Sequence, residues 1–208
     1  MNIDLLFSFL TASVLLTLMP GPDIIYVLIQ SITNGKKYGV ATAAGLVSGI
    51  IIHTTLIAFG VSAIIKESEV IFTIIKFFGI FYLLYLAFKT FKASAVIDLD
   101  VETKKDVTLL KLFKQGFIMN VLNPKVTIFF LAFFPSFIDE NYGNVTMQVY
   151  VLGLLFMLQA FIIFSSMSVI ADKLTSFIRE NQKFQVTLKW LQIIVLIGIA
   201  VFIFVSDL

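Results

Sequence analysis

Residues 5–29 form an apolar run with Pro20, Gly21, Pro22 and Asp23 set into it. Helices that cross a bilayer need about 17–25 predominantly apolar residues. Thirteen Leu, Ile, Val and Phe fall between Leu5 and Leu28. At about −0.3 to −0.6 kcal/mol each, they outweigh about +3 kcal/mol for one aspartate at the centre of a span. The run therefore inserts, but not as one unbroken helix. Each proline lacks an N–H and crowds the carbonyl one turn back. A break at membrane depth is tolerated only where the freed backbone groups face protein or a water-filled cavity, so the break marks a pathway and calls for a partner elsewhere in the chain.

Hydropathy repeats this pattern along the chain. Six spans are expected, at residues 5–29, 40–64, 70–88, 112–134, 147–170 and 186–205, with a polar segment at 89–111. Charged residues make up 13% of the chain, about half the roughly 25% of a soluble domain, and the mean hydropathy is +1.01. The fold class is all-α, a polytopic membrane protein. With no cysteine in the chain, thiol relays, disulfides and thiolate metal sites are excluded. No Lys or Arg precedes Lys36, so the first apolar run does not read as a signal peptide and is expected to stay. The net charge of +2 carries no sign of nucleic-acid binding, because the basic residues lie in the loops of a lipid-embedded chain.

Twelve basic residues collect on one side of the six spans: Lys36, Lys37, Lys89, Lys92, Lys104, Lys105, Lys111, Lys114, Lys173, Arg179, Lys183 and Lys189. Lys66 and Lys76 lie on the other, and Lys125 is inside the fourth span. The positive-inside rule puts the twelve in the cytoplasm and both termini outside. Three spans on each side of the polar segment suggest two three-helix repeats, 1–92 and 112–208, joined by a cytoplasmic linker at 93–111. An odd number of spans per half makes the second copy inverted, and each copy opens on a broken helix: Pro22-Asp23 in one, Asn123-Pro124-Lys125 in the other. Interruptions at corresponding positions of two halves are a sequence pointer to a transporter binding site.

At about 1.5 Å per residue, Lys125 lies roughly 16 Å beyond Lys114 and Asp23 roughly 20 Å before Lys36, both near the middle third of the bilayer. Ionisable side chains there are functional candidates by default. Simpler readings stand beside this one. Asp23 suits the first turn of a helix that Pro22 begins, Lys125 could snorkel toward the interface, and Asn120 and Asn123 could satisfy carbonyls freed by Pro124. Gly45 and Gly49 form a small-xxx-small face whose plainest use is close helix packing. His53 continues that face, either as a packing residue or as a proton relay. Gln159, Tyr82 and Tyr85 suit a cavity wall or interhelix hydrogen bonds equally. No metal site is expected, since His53 is the one histidine and no carboxylates are paired at ligand spacing. Nothing in the sequence implies a cofactor.

Several of these residues fall into a family pattern. They are Met19-Pro20-Gly21-Pro22-Asp23; Gly39 through Gly45-x-x-x-Gly49-x-x-x-His53; Phe78-Gly79-x-x-Tyr82-Leu83-x-Tyr85-Leu86; and Phe113-x-x-Gly116-Phe117-x-x-Asn120-x-x-Asn123-Pro124-Lys125 with Phe129-Phe130. Together they resemble the lysine exporter and homoserine/threonine resistance (LysE/RhtB) amino-acid exporters over residues 15–135; beyond that the likeness is of length and hydropathy. Family members often carry Asn where this chain has Asp23. The resemblance implies a secondary transporter, not an enzyme, that exports amino acids or similar small metabolites across the bacterial cytoplasmic membrane and is driven by protons. It leaves room for a homo-oligomer.

The residues suggest a mechanism to match. Asp23 and Lys125 would pair across the halves until a zwitterion inserts between them, with Pro20, Gly21, Pro22, Asn120, Asn123 and Pro124 shaping the binding site, and Asp23 or His53 carrying the proton. Two other classes compete with this one. A metal-cation exporter would want more intramembrane carboxylates or histidines than Asp23 and His53, and a non-transporting membrane partner protein would move no metabolite at all.

Overall fold

The structure, a computed structural model, describes residues 3–67, 69–94 and 107–205. Most of the expected linker, including Lys104 and Lys105, lies outside the described residues. The chain order is α1 (Ile3–Leu18), α2 (Pro22–Asn34), α3 (Lys36–Glu67), α4 (Glu69–Lys92), α5 (Leu109–Val121), α6 (Pro124–Ile128), a π-helical turn (Phe129–Phe133), two 3-10 turns (Phe134–Phe137 and Glu140–Tyr142), α7 (Val145–Val169), α8 (Ala171–Glu180) and α9 (Gln182–Val205). Every regular element among the described residues is helical, as a lipid solvent requires of a chain whose backbone groups must be satisfied within each segment.

Three stretches are long and apolar enough to cross a membrane as single helices: Lys36–Gly60, Val145–Val169 and Gln182–Val205. Two more qualify as bent pairs. Leu5–Leu18 and Pro22–Asn34 meet at 57°, and Leu109–Val121 and Pro124–Phe137 meet at 47°. The described residues thus give three to five candidate spans, and the expected third span, 70–88, falls within α4. Between α2 and α3 the chain turns at Gly35, whose φ of 97° is a left-handed value that only glycine adopts without cost.

The long α3 lies at the centre, against α5, α7 and α2; α1 packs on α7, and α4 on α9. The glycines of α3 make the closest approach. A Cβ on Gly45 would collide with the Phe113 carbonyl oxygen of α5, and one on Gly116 would fall 2.5 Å from the Thr42 carbonyl oxygen of α3. A Cβ on Gly49 would fall 2.7 Å from the Asn120 side chain. In lipid there is no hydrophobic drive between helices, so small residues that bring backbones together carry the packing. The outer faces of α4 and α9 present Phe78, Phe81, Phe88, Ile194, Val201 and Phe204, all more than half exposed, as a surface solvated by acyl chains would.

The described helices add one element that hydropathy does not predict. The stretch 171–180, read from the sequence as a loop, is a short helix with Thr175 and Ile178 buried, and Gln185 closes its far side by donating to the Ile178 carbonyl at 2.6 Å. Ten residues with four charges are too short and too polar to register as a span.

Gly45→Ala should destabilise the fold by about 1–3 kcal/mol, the usual cost of overpacking, because the atom it meets is backbone. Gly198→Ala, with nothing within 4 Å of the added carbon, should leave the melting temperature in detergent unchanged or slightly raised. Equal melting temperatures for the two variants would contradict the tight α3–α5 contact.

Candidate functional site

At the first break the last helical bond of α1 runs from Met19 N–H to the Leu15 carbonyl at 3.1 Å. Pro20 follows, and having no N–H it leaves the Leu16 carbonyl without its helical partner. The chain passes through extended backbone at Gly21 and restarts with Pro22 as the first residue of α2. Gly21 supplies no side-chain cap, and Asp23 sits in the first turn, where the helix dipole favours an anion.

The second break is built differently. Asn123 precedes Pro124, and its Oδ1 accepts from the Lys125 N–H at 3.0 Å, capping α6. Lys125 therefore occupies the same place after its proline as Asp23 does after Pro22. A cation is disfavoured at that end of a helix, so its place is set by what its ammonium reaches rather than by the helix.

The two breaks are stitched together. Asn123 Nδ2 donates to Asp23 Oδ2 at 2.7 Å. Lys125 Nζ donates to the Leu16 carbonyl at 3.2 Å and lies 3.5 Å from the Met19 carbonyl, both at the first break. Gly21 floors this arrangement: a Cβ there would stand 3.5 Å from the ammonium. The sequence suggests a direct Asp23–Lys125 pair, but the structure gives the carboxylate to Asn123 and the ammonium to carbonyls. The reason is local, since the carbonyl released by Pro20 needs a donor and Lys125 is the group that reaches it. Snorkelling is likewise not what Lys125 does, because its ammonium points into protein.

Asp23, Asn120 and Asn123 are buried, at 5%, 3% and 6% exposure. Among the described residues, Asp23 Oδ1 and Asn120 Oδ1 are buried acceptors with no hydrogen-bond partner. Asp23, Asn120, Lys125 and Thr17 line one cavity of about 20 Å³, room for about one water. Buried polar atoms are nearly always paired in native structures, so two unpaired acceptors on one small cavity beside an ammonium form a site arranged for something that donates.

His53 is buried behind this cavity rather than on it. Its Nε2 lies 3.3 Å from the Asn120 carbonyl oxygen, and its ring packs 5.5 Å from that of Phe130. Gln159, left open in the sequence between cavity wall and interhelix bonding, takes the second course: its Nε2 donates to Thr17 Oγ1 at 3.0 Å. Tyr82 and Tyr85 meet each other at a tilt along α4 and are not part of the cavity wall. Sequence reasoning missed Thr17 and the apolar lining, Leu16, Ile50 and Val126 together with the α7 residues Phe156, Ala160 and Phe164. Their spacing of four is the only trace they leave, and any buried helix face has it. Among the described residues, no three His, Cys, Asp or Glu side chains are grouped to hold a metal ion.

Asn123→Ala removes the α6 cap and the partner of a buried carboxylate together. It should cost about 1–3 kcal/mol from the unpaired acceptor and about 1 kcal/mol more from the cap. Thermal unfolding in detergent, read beside exposed Asn141→Ala, checks this; equal melting temperatures would refute the stitch.

Comparison with known proteins adds a second line. A family model described as LysE type translocator matches residues 14–207. The chain is 29% identical over 204 residues to a Bacillus subtilis protein described as uncharacterized membrane protein YrhP, covering 94% of this chain and 96% of that one. It is 32% identical over 146 residues to a leucine efflux protein of Salmonella typhimurium, covering 70% and 69%. A homoserine/homoserine lactone efflux protein of the same organism is 30% identical over 179 residues, 86% of each. No solved structure matches the chain.

Proposed function

The chain belongs to the LysE type translocators, a family of membrane transporters rather than enzymes, and from that premise we propose that it exports amino acids by binding the zwitterionic head between its two broken helices. The observation that carries this reading is the cavity shared by Asp23, Asn120 and Lys125. Its two unpaired acceptors, Asp23 Oδ1 and Asn120 Oδ1, suit a substrate ammonium. Lys125, released from the Leu16 and Met19 carbonyls, takes the carboxylate, assisted by the uncapped first turn of α2. Pro20, Pro22 and Pro124 keep those helix ends at the site.

The cavity of about 20 Å³ does not hold an amino acid, so the structure corresponds to a closed carrier. Opening is a movement of one three-helix half, 1–92, against the other, 112–208, with six spans and both termini outside. The pattern of contacts supports such a repeat. The first span of each half packs on the second span of the other, as α1 on α7 and α5 on α3, while the third spans α4 and α9 pack on each other. A two-fold relation between halves generates this reciprocity.

Proton coupling runs in this reading through Asp23 and is sensed by His53, whose imidazole touches the Asn120 carbonyl and so the acceptor side of the site. A metal-cation exporter finds no support in the ligand grouping of the described residues.

Uptake of radiolabelled amino acids into inside-out membrane vesicles tests the charge roles. Removing one partner of a desolvated charged contact costs about 2–5 kcal/mol, so Lys125→Met and Asp23→Asn should each slow transport by about 30-fold or more while the protein stays at normal abundance in the membrane. Normal transport by both would refute the zwitterion site. For the proton route, His53→Gln should retain substrate exchange in counterflow and lose accumulation driven by a pH gradient. Intact gradient-driven accumulation would remove His53 from the coupling.

A further inference from the structure

Beside its polar groups, Thr17, Asp23, Asn120 and Lys125, the cavity has a wall of a different character. Leu16, Ile50, Val126, Phe156, Ala160 and Phe164 supply it, each at 6% exposure or less. Three of them, Phe156, Ala160 and Phe164, follow one another at four-residue spacing along α7, so they share one helix face. Ala160 is the small member between two phenylalanines. The smaller side chain leaves a notch between two rings in a wall that Leu16 and Val126 of the two broken spans share.

We infer that this wall is the subsite for the substrate's side chain and that the transported class is neutral amino acids with aliphatic side chains, with Ala160 setting the size accepted. The inference rests on the zwitterion reading above, because the head must be held by Asp23, Asn120 and Lys125 for the side chain to fall against α7. Both charged groups on the cavity are then engaged with the head. A second charge, on lysine or glutamate, would meet six apolar side chains and no counterion, and an unpaired buried charge costs several kcal/mol. An aliphatic chain loses nothing there and is drawn from water. The side chain gains its room when the halves part, and the wall that then faces it is the one formed by these residues.

The test uses the full chain in proteoliposomes, with radiolabelled L-leucine, L-alanine, L-lysine, L-glutamate and L-phenylalanine offered separately. L-leucine should move at least about tenfold faster than L-lysine or L-glutamate. Ala160→Leu fills the notch, and since one methylene in a hydrophobic pocket is worth about 10–200-fold, it should lower the leucine-to-alanine rate ratio by about tenfold or more. Ala160→Gly, which adds no bulk and serves if the leucine variant fails to insert, should raise the phenylalanine-to-leucine ratio. Lysine or glutamate moving as fast as leucine, or both ratios staying unchanged, overturns the subsite and leaves the transporter reading standing. If none of the five amino acids moves, the zwitterion reading falls and this inference with it.

Discussion

A proline inside a membrane helix leaves a carbonyl that water cannot reach, and the site depends on how that carbonyl is satisfied. Pro20 withdraws the donor that Leu16 would have used, and Lys125 of the second break supplies one at 3.2 Å. An unsatisfied backbone group in lipid costs several kcal/mol, and so does an intramembrane ammonium; brought together, each offsets the other. Asn123 does the same service in the opposite sense for Asp23. The two breaks hold one another closed. Opening the carrier without a substrate would strand the Leu16 carbonyl, the Asp23 carboxylate and the Lys125 ammonium at once. An amino acid replaces those bonds with its own ammonium and carboxylate, so in the proposed cycle the barrier to moving empty and the affinity for substrate have one origin.

In the proposed cycle, two further sets of contacts around the cavity would also keep it shut. In one set Phe9 of α1 meets Phe134 and Phe137 edge to face, each at 5.3 Å between centroids, in a cluster that Phe129, Phe130 and Phe156 extend. The π-helical turn that presents these rings has a cause in the sequence. Pro135 cannot donate to the carbonyl one turn back and crowds it, and the preceding turn widens instead, with the Phe134 N–H reaching the Phe129 carbonyl. Wide turns of this kind are uncommon and gather at functional sites. In the other set Ser31 donates to Ser168 at 2.9 Å and Ser168 to the Lys36 carbonyl at 2.9 Å, over Gly39, where any side chain would collide with both hydroxyls. One closure is apolar and the other polar, so the two need not open under the same conditions.

The features legible in the sequence were those that a single residue type forces. Prolines 20, 22 and 124 located both breaks, hydropathy located apolar runs of which three to five are candidate spans among the described residues, and residue counting paired Asp23 with Lys125, which line one cavity. Partner choice was not legible. Spacing along a chain does not fix the rotation of one helix against another, and a shift of a few ångströms decides whether Asn123 or Lys125 meets the Asp23 carboxylate. Phe156, Ala160 and Phe164 escaped notice for a related reason: apolar residues at four-residue spacing face protein in any buried helix, and only coordinates distinguish a wall of a site from a wall of the core. Gly45 was readable as a packing residue, though which backbone it meets was not.

The two half-helices that follow the prolines are not equivalent, and the difference gives the proposed site a polarity. Asn123 spends its side-chain oxygen on the Lys125 N–H, so the second half-helix is capped from within and offers a cation in its first turn. Gly21 has nothing to spend, so the first half-helix keeps its leading N–H groups uncommitted while carrying an anion in the same place. A serine or aspartate at position 21 would cap α2 better and would also set a side chain 3.5 Å from the Lys125 ammonium, closing the space where a carboxylate can approach it. Glycine there trades helix stability for access. Because the uncapped end and the ammonium lie together, while the free acceptors belong to Asp23 and Asn120, a zwitterion has one favourable orientation rather than two, and its side chain is carried to one wall only.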